Sequence, residues 1–145
     1  MGVAELLLKR KQELAAKNLT EGTAYIENFS KELNVVLHDS GVAYKILEEG
    51  SGALPNVTDT VTCHYHGTNL KGEVFDSSVE RKKPATFQIN KLIKGWQTIM
   101  PLLPVGTKAV LVIPPHLAYG EEQISKEIGP NSTLIFEIEL LDIIE

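Results

Sequence analysis

The stretch Asp59-Thr60-Val61-Thr62-Cys63-His64-Tyr65-His66-Gly67 decides the fold class. Successive side chains of an extended chain point to opposite faces, so Val61, Cys63 and Tyr65 share one side and Thr62, His64 and His66 the other. One apolar and one polar face is the pattern of an antiparallel sheet covered on one side only. The alternation recurs on both sides of this stretch. Upstream, Val42, Tyr44 and Ile46 alternate with other residues. Downstream come Val74-Phe75, then residues 85–89 with Phe87 and Ile89 on one side. Ala109, Leu111 and Ile113 follow, set against Lys108, Val110 and Val112. The last strand spans about 133–141, with Leu134, Phe136, Ile138 and Leu140 opposite Glu137 and Glu139. Turn-rich segments separate these runs, at Glu48 to Pro55 and at Lys71-Gly72. Within this region one segment, Lys94 to Met100, has helical character, with Trp96 and Met100 on one face. Pro101 lacks an amide proton and should end or kink that helix. The expectation is an α+β domain, an antiparallel sheet whose inner face is covered by a short helix.

Residues 1–40 read differently. They contain no proline and two glycines, Gly2 and Gly22. Apolar or small residues recur near helical spacing at Ala4, Leu7, Leu8, Leu14, Ala15, Tyr25, Ile26, Phe29 and Leu33. This predicts an amphipathic helix from about residue 3 to residue 33. Gly22 and Asn18 weaken its middle, since glycine disfavours a helix interior by about 1 kcal/mol relative to alanine, and a break near Asn18 to Thr20 is one reading. Two roles stay open for the helix. It either lies on the following domain or forms a stalk that pairs with a second copy. His38-Asp39-Ser40-Gly41 reads as the turn out of the helix. The chain thus divides into a helical segment, 1–40, and a sheet domain, 41–145.

The bulk numbers remove several classes of function. The 145 residues carry 14 Lys and Arg against 19 Asp and Glu, a net charge of −5, which argues against a general nucleic-acid binder. With 43% apolar residues the chain can build a core. No stretch approaches the roughly 20 apolar residues of a membrane helix. Leu6, Leu7 and Leu8 precede Lys9, Arg10 and Lys11, the reverse of a secretory signal, so no leader is visible and a cytoplasmic location stays open beside export.

Candidate chemistry is sparse. There is no Gly-x-Ser-x-Gly elbow and no phosphate-binding glycine loop. Cys63, the one cysteine, lies on the apolar face of its strand and reads as a packing residue. His64 and His66 share a face about 6.6 Å apart. A metal would want a third ligand, and none is near, so they read as solvated histidines and no metal is expected. Six aromatics, Tyr65, Phe75, Phe87, Trp96, Tyr119 and Phe136, are spread over almost every element. They either fill the core or line an apolar pocket around the helix.

The order of motifs resembles a known family. Val61-Thr62-Cys63-His64-Tyr65-His66-Gly67 is followed by Lys71-Gly72-Glu73-Val74-Phe75-Asp76-Ser77-Ser78, Arg81-Lys82-Lys83-Pro84, Ile93-Lys94-Gly95-Trp96, Pro104-Val105-Gly106, Leu117-Ala118-Tyr119-Gly120 and Ile128-Gly129-Pro130-Asn131-Ser132-Thr133. From Gly41 onward this is similar to the FKBP family of peptidyl-prolyl cis–trans isomerases. Residues 17–41, Pro84-Ala85-Thr86-Phe87-Gln88 and the Ile128 to Asn131 turn resemble its bacterial macrophage-infectivity-potentiator (Mip) branch. The resemblance implies a bent antiparallel sheet of five or six strands wrapped around a short helix. It also implies an enzyme that speeds Xaa-Pro rotation and assists protein folding without covalent chemistry or a cofactor. Catalytic residues carried over are Tyr65, Phe75, Asp76, Ile93, Trp96, Tyr119 and Phe136, with Trp96 as the pocket floor; Leu92, Arg81, Phe87 and Ile128 would bind substrate. Asp76 would orient Tyr65 or meet the twisted carbonyl carbon, and Arg81 would hold Asp76, or the pair would be a fold-stabilising ion pair. The implied partners are proline-containing polypeptides, the macrolides tacrolimus and rapamycin, and a second copy through the N-terminal helix. The branch implies the periplasm or cell envelope. A chaperone-like module that binds proline peptides or unfolded clients with weak catalysis is the alternative. Three residues or segments depart from the family pattern. Ala85 stands where many members have an aromatic, and the loop from Glu121 to Glu127 is unusually charged. Ile124 occupies a place where a histidine is common.

Overall fold

The computed structural model describes residues 2–144; Met1 and Glu145, the outermost residues of the two expected segments, lie outside them. The first element is a single unbroken helix, α1 (Val3–Ser30), of 28 residues. At 1.5 Å per residue it is about 42 Å long. Its first three turns are exposed throughout, Leu7 and Leu8 included. Burial against the rest of the molecule begins at Ala15 and recurs at Asn18, Gly22, Ile26 and Phe29, one face of the helix.

The helix is one rod, as one of the two readings had it; the break left open near Asn18 to Thr20 does not occur, and the physical reason lies in the two residues that suggested it. Gly22 is buried because α1 crosses Thr133 there; a Cβ at position 22 would stand 2.1 Å from the Thr133 hydroxyl oxygen. Asn18 donates its side-chain amide to the Pro130 carbonyl at 2.8 Å. Both are poor helix formers used as contact points, and tertiary contact overrides propensity. The cost is visible at Thr133, whose buried hydroxyl has no hydrogen-bond partner among the described residues.

The chain leaves α1 at Lys31 and enters β1 (Val35–Leu37), a three-residue edge strand. The sequence reading had no strand here. Residues 38–41 turn β1 back into β2 (Ala43–Glu48) rather than out of the helix: the Gly41 amide reaches the His38 carbonyl at 2.9 Å, and Gly41 has φ +105°. Then follow β3 (Thr60–Thr68), β4 (Val74–Ser77), β5 (Ala85–Gln88), α2 (Lys94–Ile99), β6 (Lys108–Ile113) and β7 (Leu134–Ile144). After α2 the chain tightens into a 3₁₀ turn, Met100–Leu102, that holds Pro101 where a missing amide proton is tolerated.

All pairings are antiparallel, in the order β1-β2-β6-β7-β3-β4, with β5 also on β3. The sheet therefore has seven strands, because β1 adds an edge. β3 is long enough to hold β4 along Gly67 and β5 along Val61, both on the same side. The bent sheet wraps around α2. Val61, Cys63 and Tyr65 join Leu111, Ile113, Leu134, Ile138 and Leu140 in one core with Trp96, Ile99 and Met100 of the helical turn. Gly95 lets α2 approach closely, since a Cβ there would meet the Ile113 side chain at 2.6 Å. Val112 departs from the expected alternation: it lies opposite Ala43, and both are fully buried.

Candidate active site

At the open end of the sheet, beside α2, the core gives way to a cavity of about 600 Å³. Its floor is Trp96, 4% exposed, because α2 begins only at Lys94 and its first turn drives the indole inward. Three rings stand on edge around it. The Tyr65, Phe87 and Phe136 centroids lie 5.6, 6.0 and 5.1 Å from the indole, all near perpendicular. Phe75 continues the wall against Phe136 at 5.4 Å. Edge-to-face pairs of this kind contribute about 0.5–1.5 kcal/mol each beyond area burial. Gly67 leaves room for two of these rings; a Cβ there would stand 2.6 Å from Phe75 and 2.8 Å from Phe136. The aromatics thus line a hollow while also forming the edge of the core, and the two sequence readings of the six rings meet in one arrangement.

Leu92, Ile93, Ile128 and Tyr119 complete the lining together with Asp76. Ten of the eleven site residues expected from sequence therefore border one cavity. Arg81 lies just behind it. Sequence reasoning missed Lys91, Ala118 and Ser125, which also line it. Ile124, noticed only as a departure, is part of the wall; its place in the irregular loop before β7 carries no periodic signal.

The polar group at the rim is a triangle. The Tyr65 hydroxyl donates to Asp76 Oδ2 at 2.6 Å. Arg81 donates through Nη2 to the Tyr65 oxygen at 2.8 Å and through Nη1 to Asp76 Oδ1 at 2.5 Å. The backbone makes this meeting possible. β4 ends at Ser77, and Ser78 then substitutes for strand pairing: its amide donates to the Tyr65 carbonyl at 2.9 Å and its hydroxyl accepts from the Tyr65 amide at 2.7 Å. The chain loops out through Lys82, at φ 58°, and carries Arg81 back over the Tyr65 ring, 5.6 Å from its centroid.

The charges follow. Burial alone would raise the Asp76 carboxyl, but the Tyr65 and Arg81 hydrogen bonds and the nearby guanidinium outweigh it and hold the group below its ordinary value. Burial, then the hydrogen bond to the Asp76 carboxylate, pushes the Tyr65 phenol up, with Arg81 opposing. The hydrogen bond to Tyr65, then that to Asp76, raises the Arg81 guanidinium further. At neutral pH the triangle is one cation, one anion and one neutral hydroxyl. The donors left without a partner among the described residues include the buried Trp96 indole Nε1, the Tyr119 hydroxyl and the Ile93 backbone amide.

On the outer face, His64 and His66 bind Ser78 and Ser77 through Nδ1, at 2.9 and 2.8 Å. No group of three or more candidate metal ligands occurs among the described residues. Burial pushes the Cys63 thiol up to about 12, so it is neutral and inert.

A family model for FKBP-type peptidyl-prolyl cis-trans isomerase matches residues 52–141, and one for the domain amino terminal to it matches residues 2–46. The chain belongs to the FKBP-type peptidyl-prolyl isomerase family. Among its relatives, the FKBP-type 22 kDa peptidyl-prolyl cis-trans isomerase of Escherichia coli K12 is 45% identical over 136 residues, 94% of this chain and 64% of that protein. The outer membrane protein MIP of Legionella longbeachae is 40% identical over 142 residues, 96% of this chain and 61% of that one. The crystal structure of FkpA from Escherichia coli superposes with a TM-score of 0.89 at 40% identity, covering 94% of this chain and 63% of that one. The chain thus spans a little under two thirds of the length of these relatives. An FKBP domain preceded by an amino-terminal helical segment accounts for the bent sheet, the enclosed short helix and the long α1.

Proposed function

We propose that this protein accelerates cis–trans rotation about Xaa-Pro bonds in polypeptides, with the ring-lined cavity as its active site. The observation that carries the reading is a hollow of about 600 Å³ beside the Trp96 indole, walled by aromatic edges and holding uncommitted donors at its rim. Rotation about an Xaa-Pro bond meets a barrier of about 18–20 kcal/mol because twisting removes amide resonance. Without resonance the imide is less dipolar, so an apolar pocket destabilises the planar ground state relative to the twisted one. No bond breaks. The residues need only bind the proline ring, exclude water and hold one side of the rotor.

Trp96, Tyr65 and Phe136 take the proline ring, and Phe75 and Phe87 extend the apolar walls. The Tyr119 hydroxyl and the Ile93 amide hold substrate carbonyls. Asp76 orients Tyr65 and presents a carboxylate beside the twisting carbonyl, and Arg81 keeps it ionised; Leu92 and Ile128 close the sides. The test is exchange NMR on a prolyl peptide with the full chain and with Tyr119→Phe and Asp76→Ala. The wild type should speed exchange and both variants less so; a wild type no faster than buffer overturns the reading.

Residues 41–145 are the catalytic unit in this proposal and residues 1–40 its stalk, although β1 of the stalk segment completes the sheet. The exposed Leu7 and Leu8 favour a second copy as partner of the free end of α1. Sedimentation of the full chain should give a dimer that Leu7→Glu converts to monomer; a wild-type monomer removes the stalk pairing. Tacrolimus and rapamycin are expected ligands of the same cavity. Family membership, with an outer membrane MIP among the relatives, supports a place in the bacterial envelope. No helix among the described residues is long and apolar enough to cross a membrane.

A further inference from the structure

One wall of the cavity is built from Ile124, Ser125 and Ile128, in an irregular loop between residue 120 and β7. The loop is tied to itself. The Ile124 and Ser125 amides both reach the Ile128 carbonyl, at 3.0 and 3.3 Å, and the Ile128 amide reaches the Ser125 hydroxyl at 3.1 Å. Ile128 anchors it in the core, and bonds from outside set the place of the rest. One is the Asn131 amide on the Gly120 carbonyl at 2.8 Å, and a second is Asn69 Nδ2 on the Glu127 carbonyl at 2.9 Å. The third comes from the stalk: Asn18 Nδ2 on the buried Pro130 carbonyl at 2.8 Å, answered by Asn131 Nδ2 toward the Ala15 carbonyl at 3.4 Å. A cleft of about 160 Å³, lined by Leu14, Asn18, Asn69 and Gly129 among others, separates helix from loop. Hydrogen bonds rather than close packing hold the wall at this point.

We propose that Asn18 of α1, outside the cavity, is a positioning residue that sets the place of the Ile124–Ile128 wall and so the choice among residues that precede proline. The proposal rests on the isomerase reading. With the proline ring on Trp96, its neighbours in the substrate leave across the rim, where Ile124 is 44% exposed. Only two peptide links separate Pro130 from Ile128, so a shift of the Pro130 carbonyl is passed on to the wall. Gly22 serves the same end by letting α1 sit low on Thr133.

The test measures kcat/KM of the full chain on two peptides that differ only as Leu-Pro and Ala-Pro. Asn18→Ala should lower the Leu-Pro to Ala-Pro ratio about fivefold, the worth of one neutral hydrogen bond, with the far-UV circular dichroism unchanged. Gly22→Ala favours the helix itself but lifts it off Thr133, and should lower the ratio in the same sense. Adding Thr133→Ala to Gly22→Ala should move the ratio back toward wild type. A purely structural role scales both peptides alike, so equal losses, or no change in the ratio, overturn the proposal. A wild type that accelerates neither peptide overturns the isomerase reading, and the role of Asn18 with it.

Discussion

The two faces of β3 carry the same alternation to opposite ends. On the inner face Val61, Cys63 and Tyr65 are buried, and the row runs out at Gly67, where two rings take the place of a side chain. On the outer face Thr62, His64 and His66 are half-buried and satisfied by hydroxyls. Rings buried around a vacancy make an apolar place for a ligand; the outer face instead carries a charged hollow of about 400 Å³ bordered by His64, His66, Lys108, Glu137 and Glu139. A histidine pair attracts attention in a sequence more readily than a tyrosine between two buried residues, yet the tyrosine side holds the larger, ring-lined cavity.

The sharpest way to break this contrast is at the floor. Trp96→Ala should reduce kcat/KM by more than about 100-fold and destabilise the fold by about 3–5 kcal/mol, read by thermal melting. Trp96→Leu keeps an apolar floor without the ring; it should fold, and lose about tenfold in activity by the same assay. Equal activity in the leucine variant would show that the rings serve only the core.

Next comes the rim. Asp76→Ala leaves Arg81 without its carboxylate and Tyr65 without its acceptor, and should cost about tenfold in kcat/KM, as loss of a charge-assisted bond does. The pH dependence has a definite sign. The Asp76 carboxyl is held down in the folded protein, so the unfolded chain takes up its proton first as pH falls. Its stabilisation is complete above the ordinary carboxylate range and is lost as pH drops through the lowered value. Melting temperatures of wild type and Asp76→Asn should differ at neutral pH and converge in acid.

Tyr119→Phe removes an uncommitted hydroxyl and should cost about fivefold in kcat/KM with an unchanged melting temperature. The smallest effect belongs to the outer face. His66→Ala loses one half-buried hydrogen bond, to the Ser77 hydroxyl, and should change stability by less than about 1 kcal/mol and kcat/KM by less than twofold. A larger effect on activity would join the two faces into one functional unit.

The sheet was legible because its longest strands, β3 and β7, bury one side, and the residues from Val61 to Gly67 repeat that signal without a break. The cavity was less so. Tyr65, Trp96 and Phe136 look the same in sequence whether they fill a core or line a pocket, and only the Gly67 vacancy and the placement of α2 separate the two. β1 was missed because a three-residue edge strand, with Val36 and Leu37 exposed and only Val35 half-buried, leaves no pattern. The continuity of α1 at its centre stayed open for a related reason: Asn18 and Gly22 weaken a helix in isolation, and only the Pro130 carbonyl and Thr133 across from them explain their presence. The 121–128 wall, irregular and charged, gives no period to read.

The central claim is that solvent exclusion and a one-sided grip speed imide rotation with no proton transferred. Exchange NMR on one Xaa-Pro peptide, with the full chain at catalytic concentration in H₂O and in D₂O, addresses it directly. The expected result is exchange far faster than the uncatalysed tens to hundreds of seconds, at rates equal in the two solvents. Exchange no faster than in buffer, or a catalysed rate that falls markedly in D₂O, would contradict it.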